Sequence, residues 1–169
     1  KAVVDEATAT QRIRAAVDAR RDPNFVIMAR TDIRAVEGMD AAIRRARALV
    51  DAGADAIFPE AMRTLGEFEQ MREALDVPIL ANMTEFGKSD LFSVDQLRDV
   101  GVNIVIWPVS LLRIAMGAAS RALDTLTEEG HLTSRLGEMQ HRADLYDLID
   151  YEEYNHFDTN VFNFQITRP

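Results

Sequence analysis

Residues Phe25 to Asp32 read Phe-Val-Ile-Met-Ala-Arg-Thr-Asp, an apolar run that ends in arginine, threonine and aspartate. Bounded upstream by Asp22-Pro23-Asn24, it reads as a buried strand with a polar exit. The pattern returns at Ala56-Ile-Phe-Pro-Glu-Ala61, at Pro78-Ile-Leu-Ala-Asn-Met-Thr-Glu85 and at Ile104-Val-Ile-Trp-Pro-Val-Ser110. Helical sequence separates the runs, which predicts consecutive β/α units of a parallel barrel or a doubly wound sheet. In both folds the chemistry gathers at the carboxyl ends of the strands. Position alone therefore makes Arg30, Asp32, Glu60, Asn82, Thr84 and Glu85 site candidates.

The segments between the strands carry helix signals. A first helix is expected to start at Thr8 or Thr10 and run to about Arg21, with Ile13, Ala16 and Val17 as its apolar stripe. Met39, Ala42, Ile43, Ala46, Leu49 and Val50 recur at helical spacing after Gly38 and mark one buried face. Thr64 with Glu67, and Ser93 with Gln96, fit capping boxes for the next two helices. Leu65, Phe68, Met71 and Leu75 form the inner face of the first of these. An internal repeat supports the β/α reading: Asp51-Ala-Gly53-Ala-Asp55 and Asp99-Val-Gly101-Val-Asn103 each end a helix on a glycine and turn into a strand. From Leu111 a long helix should reach about Glu129, with Leu112, Ala115, Ala119, Ala122, Leu123 and Leu126 on its core side, closed by Gly130. A second helical stretch through Tyr146 follows. The acidic tail with Tyr151, Tyr154, Phe157, Phe162 and Phe164 is too aromatic for a disordered segment and is expected to pack on the parent domain or on another subunit.

At 169 residues the chain suffices for one domain with a sizeable core. It is too short for a complete eight-unit barrel of roughly 250 residues. No apolar run approaches the roughly 20 residues of a membrane span. Without cysteine there is no disulfide frame and no thiolate metal site. The formal charge of −9 argues against nucleic-acid and anionic-membrane partners, and the whole suits a cytoplasmic protein. An anionic substrate would need a local positive pocket, which arginine builds well because its planar fork grips carboxylates at two points.

Each candidate has two readings. Arg30 at a strand end needs an anionic partner, either a substrate or an ion pair with Asp32 or Glu60. Glu60 suits a general base, a metal-shell carboxylate, an orienter of substrate, or a salt bridge to Arg30. Asn82 and Thr84 face the same side of a strand and suit carboxylate binding or a polar turn. Arg113, in the first turn of a helix, opposes the helix dipole unless an anion binds there. Arg142 reads as a solvated mid-helix residue. His131, His141 and His156 lack metal spacing and read as solvated or capping residues.

Taken together, Val26-Ile-Met-Ala-Arg-Thr-Asp32, Phe58-Pro-Glu-Ala61, Ile79-Leu-Ala-Asn-Met-Thr-Glu-Phe-Gly87, Trp107-Pro-Val-Ser-Leu-Leu-Arg113 and Gln140-His-Arg-Ala-Asp-Leu-Tyr146 form a specific set. In these motifs the chain resembles the isocitrate lyase and phosphoenolpyruvate mutase superfamily, above all its methylisocitrate-cleaving branch, over nearly its whole length. The resemblance implies an α/β fold: the C-terminal half of a (β/α)8 TIM-type barrel over 1–130, with a C-terminal helical extension over 131–169 that swaps onto a neighbouring subunit. It implies a Mg2+-dependent retro-aldol cleavage of 2-methylisocitrate to pyruvate and succinate, in propionate breakdown, by a cytoplasmic homotetramer. Arg30, Arg113 and Arg142 match the family's substrate-contacting arginines, and Glu60, Asn82, Met83 and Thr84 match its other pocket positions. Arg30 and Glu60 are the catalytic candidates. Phe58, Ile106 and Pro108 resemble the apolar wall for the extra methyl group, worth about 1–3 kcal/mol of discrimination.

The family's paired metal-holding aspartates and its catalytic cysteine loop match no segment here, so the Mg2+ ligands are expected mainly in an N-terminal half outside this chain. That half is then a required partner, and the expected substrate is a small tricarboxylate. Half a barrel leaves two edge strands and one sheet face uncovered, so the chain alone should associate. Open alternatives are isocitrate lysis, oxaloacetate decarboxylation, phosphonomutation, and a non-catalytic assembly module.

Overall fold

The computed structural model describes residues 2–163. The chain divides into two compact units, Lys1–Ile114 and Ala115–Pro169.

In the first unit, β1 (Met28–Thr31), β2 (Ala56–Pro59), β3 (Leu80–Asn82) and β4 (Ile104–Ile106) alternate with helices. β1 pairs with β2 in parallel, Arg30 opposite Phe58, and β3 pairs with β4 in parallel, Asn82 opposite Ile106. A parallel bridge from Ile57 to Ile79 joins the two pairs. The strands thus follow in sequence order, without the reversal that marks a doubly wound sheet. α1 (Glu6–Ala19) precedes β1; α2 (Arg34–Glu37) and α3 (Met39–Asp51) follow it; α4 (Leu65–Ala74) and α5 (Val94–Asp99) fill the next two crossovers.

The core lies between the helices and one face of the strands. Ala42, Ala46 and Leu49 of α3 are buried with Phe68 and Met71 of α4 and Leu97 of α5, against Ala29, Ile57, Ile79 and Ala81. Alanines at the α3 contact let the helix approach the sheet closely. Ala29 and Thr31 of β1 are buried, whereas the alternate residue Arg30 is exposed on the other face.

The sequence repeat is a repeat of contacts. Asp55 accepts the Ile27 N–H at 2.8 Å and the Arg20 Nη1 at 2.7 Å; Asn103 accepts the Ile79 N–H at 3.0 Å and the Arg72 Nη1 at 3.5 Å. Each residue pins the entry of the preceding strand. Gly53 and Gly101 supply the positive φ angles of 102° and 81° that these turns need. A Cβ on Gly53 would lie 2.9 Å from Val17 Cγ2, so this glycine also admits α1.

Several local expectations change. Asp5 caps α1, accepting from the Thr8 N–H at 2.7 Å, while Thr10 bonds back to the Glu6 carbonyl. An aspartate ahead of the threonines outcompetes them for the free N–H groups. The short α2 lacks the length to show periodicity in sequence. Ser93 and Gln96 close both arms of their capping box. At Thr64 one arm forms, because the Glu67 carboxylate accepts instead from the Arg34 guanidinium and, at 2.6 Å, from the Arg63 N–H.

α6 (Ser110–Glu129) crosses the boundary between the units. Leu112 and Leu123, expected on its core side, are 57% and 64% exposed, and Thr125 is its one buried residue. In the second unit a 3-10 turn (Thr133–Glu138) precedes α7 (Arg142–Leu148) and α8 (Tyr151–Phe162). That turn is fixed by Arg135, whose Nε donates to Thr125 Oγ1 at 2.9 Å and whose Nη1 meets Glu138 at 2.8 Å. The second helical stretch expected through Tyr146 is therefore a 3-10 turn followed by a separate short helix. The described part of the tail is helical, but Tyr154 and Phe157 are largely exposed, while Tyr151 stacks on Tyr146 at 4.4 Å. Phe164 lies outside the described residues.

Candidate functional site at the strand exits

Parallel strands in register bring their exits to one edge, and there the candidate side chains meet. Arg30 Nε and Nη2 donate to Asp32 at 2.9 and 3.2 Å, and Nη2 lies 3.2 Å from Glu60 Oε2. The Asp32 hydrogen bonds hold the Arg30 guanidinium firmly in its charged form, its pKa raised against the opposing effect of burial. Its carbon lies 4.9 Å from the Phe58 ring centroid, across the Arg30–Phe58 register pair. Phe58 is thus a platform for the cation. Both ion-pair partners weighed for Arg30 are real, and among the described residues its Nη1 makes no hydrogen bond.

Glu60 follows β2 and Asn82 ends β3. Asn82 Nδ2 donates to Glu60 Oε2 at 3.3 Å, which fixes the amide orientation. The other amide atom, Asn82 Oδ1, is buried without a partner and is the one such side-chain atom found among the described residues. An unpaired buried acceptor costs about 1–3 kcal/mol, which a ligand donor would recover. Beside it lies a cavity of about 390 Å³ lined by Ala35, Val36, Glu60, Asn82, Thr84 and Lys88, among others.

Arg113 stands in the first turn of α6. Its Nη1 donates to the Glu85 carbonyl at 2.8 Å, to Glu85 Oε2 at 3.1 Å and to Thr84 Oγ1 at 3.4 Å, and its guanidinium carbon lies 5.5 Å from the Phe86 ring centroid. Ser110 Oγ lies 2.7 and 2.8 Å from the two Glu85 carboxylate oxygens. The Ser110 hydroxyl, and then Arg113, hold the Glu85 carboxyl below its ordinary range. Met83 is a core residue, 1% exposed, whose sulfur accepts the Phe92 N–H at 3.4 Å. Pro108 and Ile106 are half-buried at the end of β4. Arg142, expected mid-helix, is the exposed first residue of α7 in the second unit, with His141 at the cap.

Three guanidinium or ammonium groups (Arg30, Arg113, Lys88) and three carboxylates (Asp32, Glu60, Glu85) occupy these exits. The locally positive pocket expected for an anion is not formed by them; directed N–H groups, and not net charge, are what the site offers. Among the described residues no group of three or more acidic or histidine side chains is placed to hold a metal. Asp32 and Glu60 both face Arg30, so this donor set does not by itself make a magnesium shell.

Two features escaped sequence reasoning. The Arg34–Glu67 pair, about 15% exposed on both sides, ties the start of α2, after β1, to the first turn of α4, after β2. Ala61, Phe86 and Val109 hold left-handed φ angles of 65°, 60° and 59°, one after each of β2, β3 and β4. Such backbone costs about 1–3 kcal/mol per residue and persists only where surroundings enforce it. Nothing in an alanine, phenylalanine or valine announces it.

Known proteins resemble the chain in sequence and in fold. Probable 2-methylisocitrate lyase 2 of Corynebacterium glutamicum is 52% identical over 97% of this chain, which spans 53% of that protein. The 2-methylisocitrate lyase of Escherichia coli is 48% identical over 96% of this chain and 55% of its own length. The chain therefore spans about half the length of the curated relatives it matches. The crystal structure of 2,3-dimethylmalate lyase, a PEP mutase/isocitrate lyase superfamily member, superimposes with a TM-score of 0.82 at 31% identity, over 94% of this chain and 56% of that one. Oxaloacetate acetylhydrolase in complex with oxalate gives 0.86 at 30% identity, over 96% of this chain and 57% of that one. The phosphoenolpyruvate phosphomutase model matches residues 1–127, and on that match, together with the sequential parallel strands and polar exits, the chain belongs to the phosphoenolpyruvate phosphomutase family.

Proposed function

We propose that this chain is one part of a carbon–carbon lyase that cleaves 2-methylisocitrate to pyruvate and succinate, and that it works only when assembled with the remaining half of a β/α barrel. The observation that carries the reading is the meeting of Arg30, Glu60 and Asn82 from three strand exits around an unpartnered buried acceptor. The sequential parallel strands support the barrel arc. Relatives named for this activity, about half identical to the chain, support the substrate.

In this reading Arg30, Arg113 and Arg142 anchor carboxylates, while Asn82 and Thr84 hydrogen-bond the substrate. Phe58, Ile106 and Pro108 border its methyl group, and Met83 contributes backbone. Cleavage takes the proton from the substrate hydroxyl, breaks the adjacent carbon–carbon bond, forms the pyruvate carbonyl, and leaves the electron pair on the succinate carbon, which is then protonated. Glu60, held by Arg30 and Asn82, is the group of this chain placed to receive or orient the hydroxyl proton. The final proton donor and the Mg2+ ligands belong to the remaining half, and the assembly is a cytoplasmic homo-oligomer.

The test is a substrate panel on the assembled enzyme with Mg2+: 2-methylisocitrate, isocitrate, oxaloacetate and phosphonopyruvate. The reading requires the highest kcat/KM for 2-methylisocitrate. Turnover of oxaloacetate or phosphonopyruvate without methylisocitrate cleavage would replace it.

A further inference from the structure

We propose that Glu85, clasped by Ser110, is a positioning residue that presets the Arg113 guanidinium for a substrate carboxylate; this rests on the reading of Arg113 as a carboxylate anchor. An arginine side chain has many rotamers, and fixing it during binding weakens affinity unless it is fixed beforehand. Here it is fixed beforehand. One terminal nitrogen, Nη1, donates to the Glu85 carbonyl, the Glu85 carboxylate and Thr84 Oγ1, at 2.8, 3.1 and 3.4 Å, and the Phe86 ring lies 5.5 Å from the guanidinium carbon. Among the described residues Nε and Nη2 have no hydrogen-bond partner. That pair is the edge with which arginine binds a carboxylate at two points.

Glu85 is itself held. Ser110 Oγ reaches both carboxylate oxygens, at 2.7 and 2.8 Å, so the carboxylate cannot swing away with the guanidinium. The backbone on each side of the clasp is strained: Phe86, next to Glu85, and Val109, next to Ser110, are both left-handed. A half-exposed ion pair contributes too little to enforce two such residues. A clasp that keeps one arginine edge open gives the strained geometry a use.

The alternative, in which Glu85 merely neutralises Arg113, predicts an effect of the opposite sign. Succinate affinity of the assembled enzyme is measured by titration calorimetry for the wild type, Glu85→Gln, Glu85→Ala, Ser110→Ala, Arg113→Ala and the Glu85→Gln/Arg113→Ala double variant. Positioning predicts weaker binding in the Glu85 variants, roughly tenfold for Glu85→Ala, and a smaller loss for Ser110→Ala, which removes only a hydroxyl. Glu85→Gln should add nothing once Arg113 is gone. Unchanged or tighter binding in both Glu85 variants overturns the inference, as does an equal further loss in the double variant. If Arg113→Ala binds succinate normally, or the wild type does not bind it, the carboxylate reading itself fails and this inference with it.

Discussion

Removing the Asn82 side chain should weaken ligand binding by about tenfold or more without unfolding the protein. Among the described residues the Asn82 side chain makes one hydrogen bond, a long one of 3.3 Å to Glu60, and leaves Oδ1 buried and unpaired. Truncation to alanine forfeits the bond, about 1 kcal/mol, and removes an orphan that costs about 1–3 kcal/mol. The side chain lines an existing cavity of about 390 Å³, so its loss enlarges open space and creates no new void in packed core. The net change lies between about 0 and +2 kcal/mol in favour of the folded state. At about 2–4 °C per kcal/mol for a domain of this size, Asn82→Ala should melt at or up to roughly 8 °C above wild type. Differential scanning calorimetry of the assembled enzyme reads this, and succinate titration in the same preparation should show affinity lost by tenfold or more. A melting point lowered by more than about 5 °C would show that Asn82 is a structural hydrogen-bonding residue and that its free oxygen does not await a ligand.

Other outcomes follow from single contacts. Glu67→Ala strips Arg34 of its partner and leaves the Arg63 N–H unpaired, so a loss of about 2–3 kcal/mol, between exposed and buried pairs, should lower the melting point by about 5–10 °C. Asp55→Asn should be tolerated far better than Asp55→Ala, because Asn103 does the same work one unit later; equal melting points for the two would remove the contact repeat from the account. Asp55, bonded first by the Ile27 N–H and then by Arg20, and Glu85, bonded first by Ser110, both have carboxyls held below their ordinary values. Groups depressed in the folded state stabilise it above the usual carboxylate range of about 4–4.5 and lose that contribution as pH falls through their folded values. Melting temperature should therefore fall on acidification below that range, and a rise there would contradict the assignment. The chain alone, with Ile104, Trp107 and Leu111 exposed by 39%, 45% and 82%, should sediment as associated species, and a monodisperse monomer would count against the half-barrel reading.

Most of the strand–helix order was legible because period and punctuation act locally. The four runs, the α3 and α4 faces, and the glycines at 53 and 101 depend on neighbours a few residues away. The meeting of Arg30, Glu60 and Asn82 was legible too, since parallel strands in register must bring their exits together. What stayed hidden is what depends on distant partners. Glu67 serves Arg34 and not its own helix cap, Phe58 lies under a guanidinium, and Met83 turns into the core. The outer face of α6 was misread as core because an apolar stripe does not say what covers it. Left-handed Ala61, Phe86 and Val109 have no sequence signal, because the tertiary structure imposes a conformation their side chains disfavour.

The central claim is that these exits are part of a lyase site completed by the remaining half of the barrel. The most direct measurement follows pyruvate from 2-methylisocitrate and Mg2+ with this chain alone, with the complementary half alone, and with both after co-purification as one complex. Pyruvate from the complex and from neither half by itself is the predicted result. Pyruvate from the chain alone, or none from a demonstrably assembled complex, would contradict the account.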